Sequence, residues 1–281
     1  MQHPPIIFRT VADLRTHADS WHSEGLTVAM IPTMGALHAG HLALVAEARR
    51  RADRLIATIF VNPTQFGPRE DFSAYPRMEE NDIAKLEAAG VEAVFAPSPA
   101  EMYPPDHATT ISVGGPALEL ETVFRPHFFT GVATVVAKLL LAGFPDIALF
   151  GEKDYQQLLV VRRMVADLHL PTEIVGLPTI READGLALSS RNAYLTAEER
   201  ETAPRLAAVL RETAAAIRAG GAADHALQEG SGKLAAAGFR LDYLELRNAE
   251  TLAKPAGPGE PLRLLAAAWL GKTRLIDNIA V

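Results

Sequence analysis

Cysteine and long apolar stretches are both absent from the 281 residues. Without cysteine the chain forms no disulfide and offers no thiolate as nucleophile or metal ligand. Charged residues interrupt every apolar stretch before it reaches the roughly 20 residues that a membrane helix needs. The N-terminal sequence MQHPPIIFRTVADLR lacks the basic stretch and long apolar run of a signal peptide. We therefore expect a cytoplasmic protein with no membrane segment.

Positive charge is also scarce. Asp and Glu number 34 against 27 Lys and Arg, which gives a formal net charge of −7. Nucleic-acid binding usually needs a basic face, so we expect no nucleic-acid partner. A triphosphate ligand is compatible with this charge, because a few placed cations and helix N-termini suffice to bind it.

Short apolar runs alternate with helical patterns through the first part of the chain. The predicted strands are 27–31, 55–61, 91–95, 147–150 and 173–177. The predicted helices are 41–51, 81–89, 131–141 and 153–168. This alternation predicts a parallel sheet with helices on both faces.

The pattern changes near Pro178. A polar segment leads to a helix whose first residues, Thr196 and Glu199, have capping-box spacing. Alanine-rich helical segments follow, and then strand-like runs at 241–246, 262–269 and 274–280. The sequence therefore predicts an α/β fold: a doubly wound, Rossmann-like parallel sheet in residues 1–179, followed by a smaller α+β lid domain in residues 180–281.

The motif PTMGALHAGH (32–41) follows the first predicted strand and runs into a helix. In an open parallel sheet this position lies at the edge where ligands bind. Gly35 and Gly40 remove side chains where a phosphate chain would approach the backbone. His38 and His41 are three residues apart at the helix start. Their imidazoles can therefore donate hydrogen bonds to phosphate oxygens near the positive end of the helix dipole.

Two other interpretations of the histidine pair stay open on spacing alone. Histidines three residues apart are more often a structural or surface pair. A zinc site is the second alternative, although no cysteine and no nearby carboxylate pair support it. The strand, the two glycines, the histidines and the helix together are more specific than the spacing, and they favour a nucleotide site.

Two further motifs follow predicted strands. FVNPTQFG (60–67) brings Asn62 and Gln65 to the same sheet edge, where a carboxamide can both donate to and accept from a hydroxy acid. The alternative for this motif is a simple Asn-Pro turn.

GEKDYQQ (151–157) supplies Lys153 as a point charge for phosphate, and Asp154 for Mg²⁺-bound water or a ribose hydroxyl. Gln157 lies one helical turn beyond Lys153 and can face the same cleft. The alternative is a capped, solvated first turn.

LSSRN (188–192) lies at the predicted domain junction. Ser189, Ser190 and Arg191 offer hydroxyls and a guanidinium for triphosphate oxygens. The alternative is a polar linker.

Two further segments are READGLALSSRN (181–192) and DYLEL (242–246). Together with the motifs above, and in the same order along the chain, they resemble the motifs of the pantothenate synthetases (pantoate–β-alanine ligases), a family of the HxGH nucleotidyltransferase superfamily. The resemblance runs from about residue 28 to the C-terminus. It implies an ATP-dependent ligase that condenses (R)-pantoate with β-alanine to give pantothenate, AMP and pyrophosphate through pantoyl adenylate. It also implies Mg²⁺ with the ATP, small-molecule substrates and a homodimer.

The resemblance implies a role for particular residues. ATP contacts are expected from Met34, Gly35, Ala36, Leu37, His38, Ala39, Gly40, His41, Gly151, Glu152, Lys153, Asp154, Ile180, Leu188, Ser189, Ser190 and Arg191. Pantoate contacts are expected from Pro32, Met34, Gln65 and Gln157, and a β-alanine contact from Gln65. The expected catalytic residues are His38, His41, Lys153, Ser189, Ser190 and Arg191, with His41 the candidate proton donor. No residue is assigned as a metal ligand.

One segment departs from the family pattern Arg-Pro-x-His-Phe-x-Gly. This chain has RPHFFTG at 125–131, so Phe128 occupies the usual His position and His127 is shifted back by one. The role of that His therefore does not transfer, and whether His127 replaces it stays open.

Two rival functions also stay open. One is a cytidylyl- or adenylyltransferase of the same superfamily, in which the nucleotide stays on the product. The other is a non-catalytic nucleotide- or RNA-binding module. The full set of candidate ATP and acid contacts favours the ligase.

Overall fold

The computed structural model describes residues 4–67, 72 and 75–281 of the chain. Within this part, the larger sheet has parallel strands β1 (Ile6–Phe8), β2 (Val28–Ile31), β3 (Arg54–Thr58), β4 (Ala93–Phe95), β5 (Ile147–Gly151) and β6 (Glu173–Leu177). Its helices are α1 (Val11–Ser23), α2 (Ala39–Arg51), α3 (Glu79–Ala88), α4 (Pro99–Met102), α5 (Glu121–Phe124), α6 (Phe128–Gly143) and α7 (Tyr155–Asp167). The strand order β1-β4-β3-β2-β5-β6 reverses at β2, which therefore lies beside β5. The predicted doubly wound parallel sheet is confirmed.

Strand β2 shows why both faces of the sheet are covered. Its residues are all fully buried, as expected for a central strand of a parallel sheet. Val28 and Met30 contribute to a core with α1, α6 and α7, whereas Ala29 and Ile31 contribute to a core with α2 and α3. Because side chains alternate along a strand, one short apolar run joins both cores.

Two glycines let helix α6 pack closely against its neighbours. A Cβ at Gly143 would lie 2.5 Å from Cε of Met30, and a Cβ at Gly131 would lie 2.5 Å from the carbonyl oxygen of Thr64. Glycine at 131 therefore lets α6 touch the 3₁₀ turn Pro63–Gln65 through its backbone. Within 4–67, 72 and 75–281, neither α6 nor any other helix is long and apolar enough to cross a membrane.

The C-terminal part forms a second, smaller layered unit. Its antiparallel sheet has the order β7 (Arg240–Asn248), β8 (Leu262–Leu270) and β9 (Thr273–Ala280). Its helices are α8 (Ala197–Thr202), α9 (Arg205–Arg218) and α10 (Ala223–Ala236). Apolar residues of α9 and α10 form a third core with this sheet. The predicted α+β unit is confirmed, whereas the boundary between residues 179 and 180 stays a prediction.

The start of α8 has the predicted capping box. Thr196 Oγ1 accepts a hydrogen bond from the backbone N–H of Glu199 at 3.2 Å, and Glu199 Oε2 accepts one from the N–H of Thr196 at 2.9 Å. Two donors that a helix start leaves without partners are thereby satisfied.

The sequence patterns missed the first strand and helix. β1 is an edge strand of only three residues, two of them exposed, so its apolar run is too short to predict a strand. α1 buries Leu14, Ala18 and Trp21, a stripe spaced four and three residues apart. Several boundaries were also wrong. The largest differences are that β3 ends at Thr58 rather than at residue 61, that α6 begins at Phe128 rather than at residue 131, and that α7 begins at Tyr155 after a 3₁₀ turn rather than at residue 153.

Candidate active site

A cleft opens at the carboxyl ends of β2 and β5, where the strand order reverses. Its volume is about 1140 Å³, which is enough for a nucleotide and a second small molecule. Most of the predicted site residues line it: Pro32, Met34, His38, Gly40, His41, Gln65, Gly151, Lys153, Asp154, Gln157, Ile180, Leu188, Ser189, Ser190 and Arg191. Other predicted ATP contacts do not line it: Gly35, Ala36, Leu37, Ala39 and Glu152.

His38 and His41 form the first turn of α2. His38 is the N-cap residue, and its Nδ1 accepts from the backbone N–H of Gly40 at 3.1 Å. His41 Nδ1 accepts from the backbone N–H of His38 at 3.3 Å. Because both Nδ1 atoms accept, each neutral ring carries its proton on Nε2. The ring centroids are 4.1 Å apart, so the pair can offer two neighbouring N–H donors to one ligand.

Both imidazoles are neutral near pH 7. Burial is the largest cause that lowers the pKa of His41 to about 3, and repulsion between the two rings when both are protonated lowers it further. Burial, followed by the Lys153 ammonium, lowers the pKa of His38 below its usual value. Burial disfavours the charged form of a histidine, and a nearby anion favours it. A bound phosphate would therefore raise both pKa values.

Helix α3 holds the loop that precedes the histidines. Asp82 is fully buried, and its carboxylate accepts from the backbone N–H groups of Ala36 at 2.7 Å and Leu37 at 2.8 Å. Lys85 Nζ donates to the carbonyl oxygen of Leu37 at 2.8 Å. Gly35 has a φ of 81°, and a Cβ there would lie 3.0 Å from Asp82 Oδ2. Glycine therefore satisfies both the backbone conformation and the close approach of the carboxylate.

Asp82 was not among the site residues predicted from the sequence. The carboxylate lies 45 residues beyond Leu37 in the chain, so no local motif connects the two. The available signal was the spacing of Asp82 and Leu86, which places a carboxylate on the buried face of α3. A buried carboxylate needs hydrogen-bond donors, and the motif loop supplies them.

Asn62 positions the carboxamide of Gln65. Asn62 Nδ2 donates to Gln65 Oε1 at 3.0 Å and to the carbonyl oxygen of Gly131 at 3.1 Å. Tyr103 donates its hydroxyl proton to Asn62 Oδ1 at 2.8 Å, which fixes the orientation of the asparagine amide. Gln65 Nε2 lies 3.1 Å from Met34 Sδ. The donor end of Gln65 therefore lies beside Met34, another residue of the cleft lining.

Lys153 lies in the 3₁₀ turn Glu152–Asp154 at the end of β5. Its ammonium is 3.8 Å from Asp154 Oδ1, and its side chain is only 19% exposed. Glu152 is turned to a different partner, because its carboxylate accepts from Arg263 Nη2 at 2.9 Å. Lys153 is thus the cation that this turn brings to the cleft.

A loop of residues 180–192 forms another part of the cleft lining. The backbone N–H of Leu188 donates to the carbonyl oxygen of Ile180 at 2.9 Å, which closes the loop. Ser189 caps the following 3₁₀ turn by accepting from the N–H of Arg191 at 3.3 Å. The predicted polar segment is therefore hydrogen-bonded structure beside the cleft.

The segment that departs from the family pattern also borders the cleft. The Arg125 guanidinium carbon lies 3.7 Å from the ring centroid of Phe128, and Arg125 Nη2 donates to the carbonyl oxygen of Gln65 at 3.3 Å. Phe128 therefore supports an arginine that contacts the Gln65 backbone. His127 is exposed and lines the cleft.

The fold and the cleft together define the class of protein. A doubly wound sheet, a cleft at its switch point and a helix N-terminus capped by histidines form an α/β nucleotide-binding site. Among the described residues, no group of three or more His, Asp or Glu side chains is arranged to hold a metal ion.

Comparison with known proteins identifies the family. Residues 6–280 match the family model described as pantoate-beta-alanine ligase. The chain is 55% identical to a pantothenate synthetase of Rhodopseudomonas palustris (strain HaA2) over the full length of both. It is 57% identical to that of Rhodospirillum rubrum over 98% of both. The chain therefore belongs to the pantoate–β-alanine ligase family, and its activity is the ATP-dependent joining of pantoate and β-alanine.

Solved structures agree with this assignment. The pantothenate synthetase from Thermus thermophilus matches with a TM-score of 0.91 and 49% identity, covering 98% of each chain. The pantoate-beta-alanine ligase from Francisella tularensis matches with a TM-score of 0.82 and 33% identity, covering 98% of this chain and 97% of that one. The Francisella structure is a complex with beta-gamma ATP and beta-alanine. The predicted family, fold and enzyme class are confirmed.

Proposed function

We propose that this one cleft carries out both half-reactions of the ligase. In the first, a carboxylate oxygen of pantoate attacks the α-phosphorus of MgATP, and the bond to the pyrophosphate oxygen breaks. In the second, the amine of β-alanine attacks the acyl carbon of pantoyl adenylate, AMP leaves with the bond electrons, and the nitrogen loses a proton. The convergence of His38, His41, Lys153 and Gln65 on the cleft is the observation that carries this proposal.

The phosphate side of the cleft stabilises charge on the leaving pyrophosphate. His38 and His41 each offer an Nε2–H donor, and the N-terminus of α2 adds its dipole. Lys153 supplies a positive charge. The segment Ser189–Arg191, with its two hydroxyls and a guanidinium, approaches the same phosphates from the loop 180–192. Such groups accelerate the step when their contacts strengthen as negative charge develops.

His41 acts first as a neutral hydrogen-bond donor in this scheme. A pKa of about 3 means that the ring carries no extra proton to give near pH 7. Negative charge that grows on an oxygen beside Nε2 attracts the N–H donor more strongly, so the hydrogen bond strengthens along the reaction. His41 is thus a proton donor through its Nε2–H bond rather than as a preformed imidazolium.

The acid side of the cleft holds the carboxylate and hydroxyls of pantoate. Gln65 is oriented by Asn62, and Gln157 lies one turn into α7. Pro32 and Met34 provide apolar surface beside them. We also assign the β-alanine contact to Gln65. The beta-alanine complex of the Francisella relative supports binding of this substrate by the same fold.

The remaining parts of the proposal rest on resemblance to the family. Mg²⁺ enters with ATP as part of the substrate, and Asp154 would hold either its bound water or a ribose hydroxyl. The protein works as a homodimer in the cytoplasm, and residues 180–281 act as a lid over residues 1–179. Analytical ultracentrifugation tests the dimer, for which a monomer at micromolar concentration is the opposing result.

A two-stage assay tests the function. Exchange of labelled pyrophosphate into ATP is expected only when pantoate is present, and AMP release is expected when β-alanine is added. Oxygen-18 in the pantoate carboxylate is expected to appear in AMP, because the carboxylate oxygen bonds to the α-phosphorus and stays there when the amine displaces AMP. Exchange without pantoate, or AMP that lacks the label, would contradict the proposal.

A further inference from the structure

Two adjacent residues of β9, Asp277 and Asn278, connect the C-terminal sheet to the cleft. Both are only 3% exposed. Asn278 Nδ2 donates to the backbone carbonyl oxygens of Glu152 and Lys153, each at 2.9 Å. One carboxamide therefore holds the turn that presents the Lys153 ammonium.

The orientation of the Asn278 amide is fixed. Its Oδ1 accepts from Arg263 Nε at 2.7 Å, and the same guanidinium donates from Nη2 to Glu152 Oε2 at 2.9 Å. A rotated amide would place Nδ2 against a cation and Oδ1 against two carbonyl oxygens. The hydrogen-bond network therefore assigns Nδ2 to the turn.

Asp277 holds the other phosphate-binding segment. Its carboxylate accepts from Arg181 at 2.6 and 2.8 Å, a two-point ion pair with the aspartate almost fully shielded from solvent. Arg181 Nη1 also donates to the carbonyl oxygen of Gly185 at 3.1 Å. The pair therefore fixes the base of the loop 180–192, which carries Ser189, Ser190 and Arg191.

We propose that Asp277 and Asn278 are positioning residues that set the separation between Lys153 and the segment Ser189–Arg191. The two anchors are one peptide unit apart on a strand paired along its length with β8. A displacement of β9 therefore moves both phosphate-binding segments together. This inference rests on the proposed phosphate role of Lys153, because Asn278 acts only through the turn that carries it.

The substitution Asn278→Ala tests the inference. Because a small misplacement of a binding group is costly in catalysis, we expect kcat/KM for ATP to fall about 10-fold or more, while KM for pantoate stays within about 2-fold. Arg218→Ala is the matched control. Arg218 is exposed and donates to the carbonyl oxygen of Ala280, two residues along β9, without contacting the turn. Its kinetics are expected to match those of the wild type.

A double-mutant cycle separates positioning from a general loss of structure. In a Lys153→Ala background, Asn278→Ala is expected to change kcat/KM for ATP by less than about 2-fold, since the group that it positions is already gone. Circular dichroism checks the fold. If Asn278→Ala does not fold, Asn278→Thr replaces it, because threonine suits a strand but cannot reach both carbonyl oxygens.

The outcomes distinguish this inference from the proposed function. Two results overturn the positioning role and leave the function of the cleft standing. One is that Asn278→Ala lowers kcat/KM for ATP as much in the Lys153→Ala background as in the wild type. The other is that the Asn278 variant has wild-type ATP kinetics. Wild-type activity in Lys153→Ala alone overturns the phosphate role of Lys153, and the positioning role fails with it.

Discussion

Replacing His41 is expected to change how the stability of the protein depends on pH. The unfolded chain binds a proton at this side chain near pH 6.5, whereas burial lowers the folded pKa to about 3. Between these values the unfolded state binds more protons, so the free energy of unfolding falls as pH falls. The stabilisation is fully present above pH 6.5 and is lost progressively towards pH 3. One group with these two pKa values lowers the free energy of unfolding by about 2 kcal/mol between pH 7 and pH 5.

His41→Asn removes this titration and keeps an acceptor for the backbone N–H of His38. Urea unfolding of the wild type and the variant at pH 7 and pH 5 gives the free energies. Between pH 7 and pH 5 the free energy of unfolding is expected to fall by about 2 kcal/mol more for the wild type than for the variant. His225 is exposed on α10, so His225→Asn is the control for removal of one histidine. Its free energy of unfolding is expected to depend on pH as that of the wild type does.

The reasoning would be refuted if the free energy of unfolding fell equally for the wild type and His41→Asn between pH 7 and pH 5. It would mean that His41 takes up a proton in the folded protein as readily as in the unfolded chain. The pKa of about 3 would then be wrong, and part of the His41 population would be an imidazolium near pH 7 and could enter the reaction in that form. Proton binding followed by NMR on the His41 ring would show the same result independently.

Other substitutions test the supports of the site. Asp82→Asn is expected to lower the free energy of unfolding by about 1–3 kcal/mol in a urea titration and to raise KM for ATP, because one of two backbone donors loses its acceptor. Gly131→Ala is expected to lower the free energy of unfolding by about 1–3 kcal/mol and to raise KM for pantoate, since the added Cβ would clash with the backbone beside Gln65. Gly232→Ala on α10, with no atom within 4 Å of the added Cβ, is the control and is expected to be neutral or stabilising. Gln65→Ala is expected to raise KM for pantoate and β-alanine about 10-fold or more and to leave ATP-analogue binding in calorimetry unchanged. Wild-type values for the Asp82, Gly131 or Gln65 variant would count against the role given to that residue.

Much of the cleft follows from local sequence. Each strand–loop–helix motif places its loop at the same edge of a parallel sheet, so His38, Gln65 and Lys153 converge once the alternation is recognised. The motif order added the loop with Ser189 and Arg191, which alternation alone does not bring to the cleft. The prediction of the fold and the prediction of the family thus rest on two different kinds of sequence pattern.

The supports of the cleft were not predictable in the same way. Asp82 contacts residues 45 and 46 positions earlier, and Asn278 contacts the Lys153 turn across 125 residues. No local periodicity indicates which loop a strand of the second sheet will face. Buried polar residues were the available sign, because a buried carboxylate or amide requires hydrogen-bond partners.

The ends of elements were the weakest sequence predictions. β3 stops at Thr58 although apolar residues continue to 61, because the chain leaves the sheet to bring Asn62 and Gln65 into the cleft. The site thus shortens an element that hydrophobicity alone would extend.

Pantoate-dependent exchange of labelled pyrophosphate into ATP, measured for His41→Ala beside the wild type, tests the central claim most directly. The account predicts exchange slower by roughly 10²–10⁴-fold in the variant, with the circular dichroism spectrum unchanged, because a donor to the leaving pyrophosphate is lost. Exchange at close to the wild-type rate in a folded His41→Ala protein would contradict the assignment of this cleft as the site of adenylation.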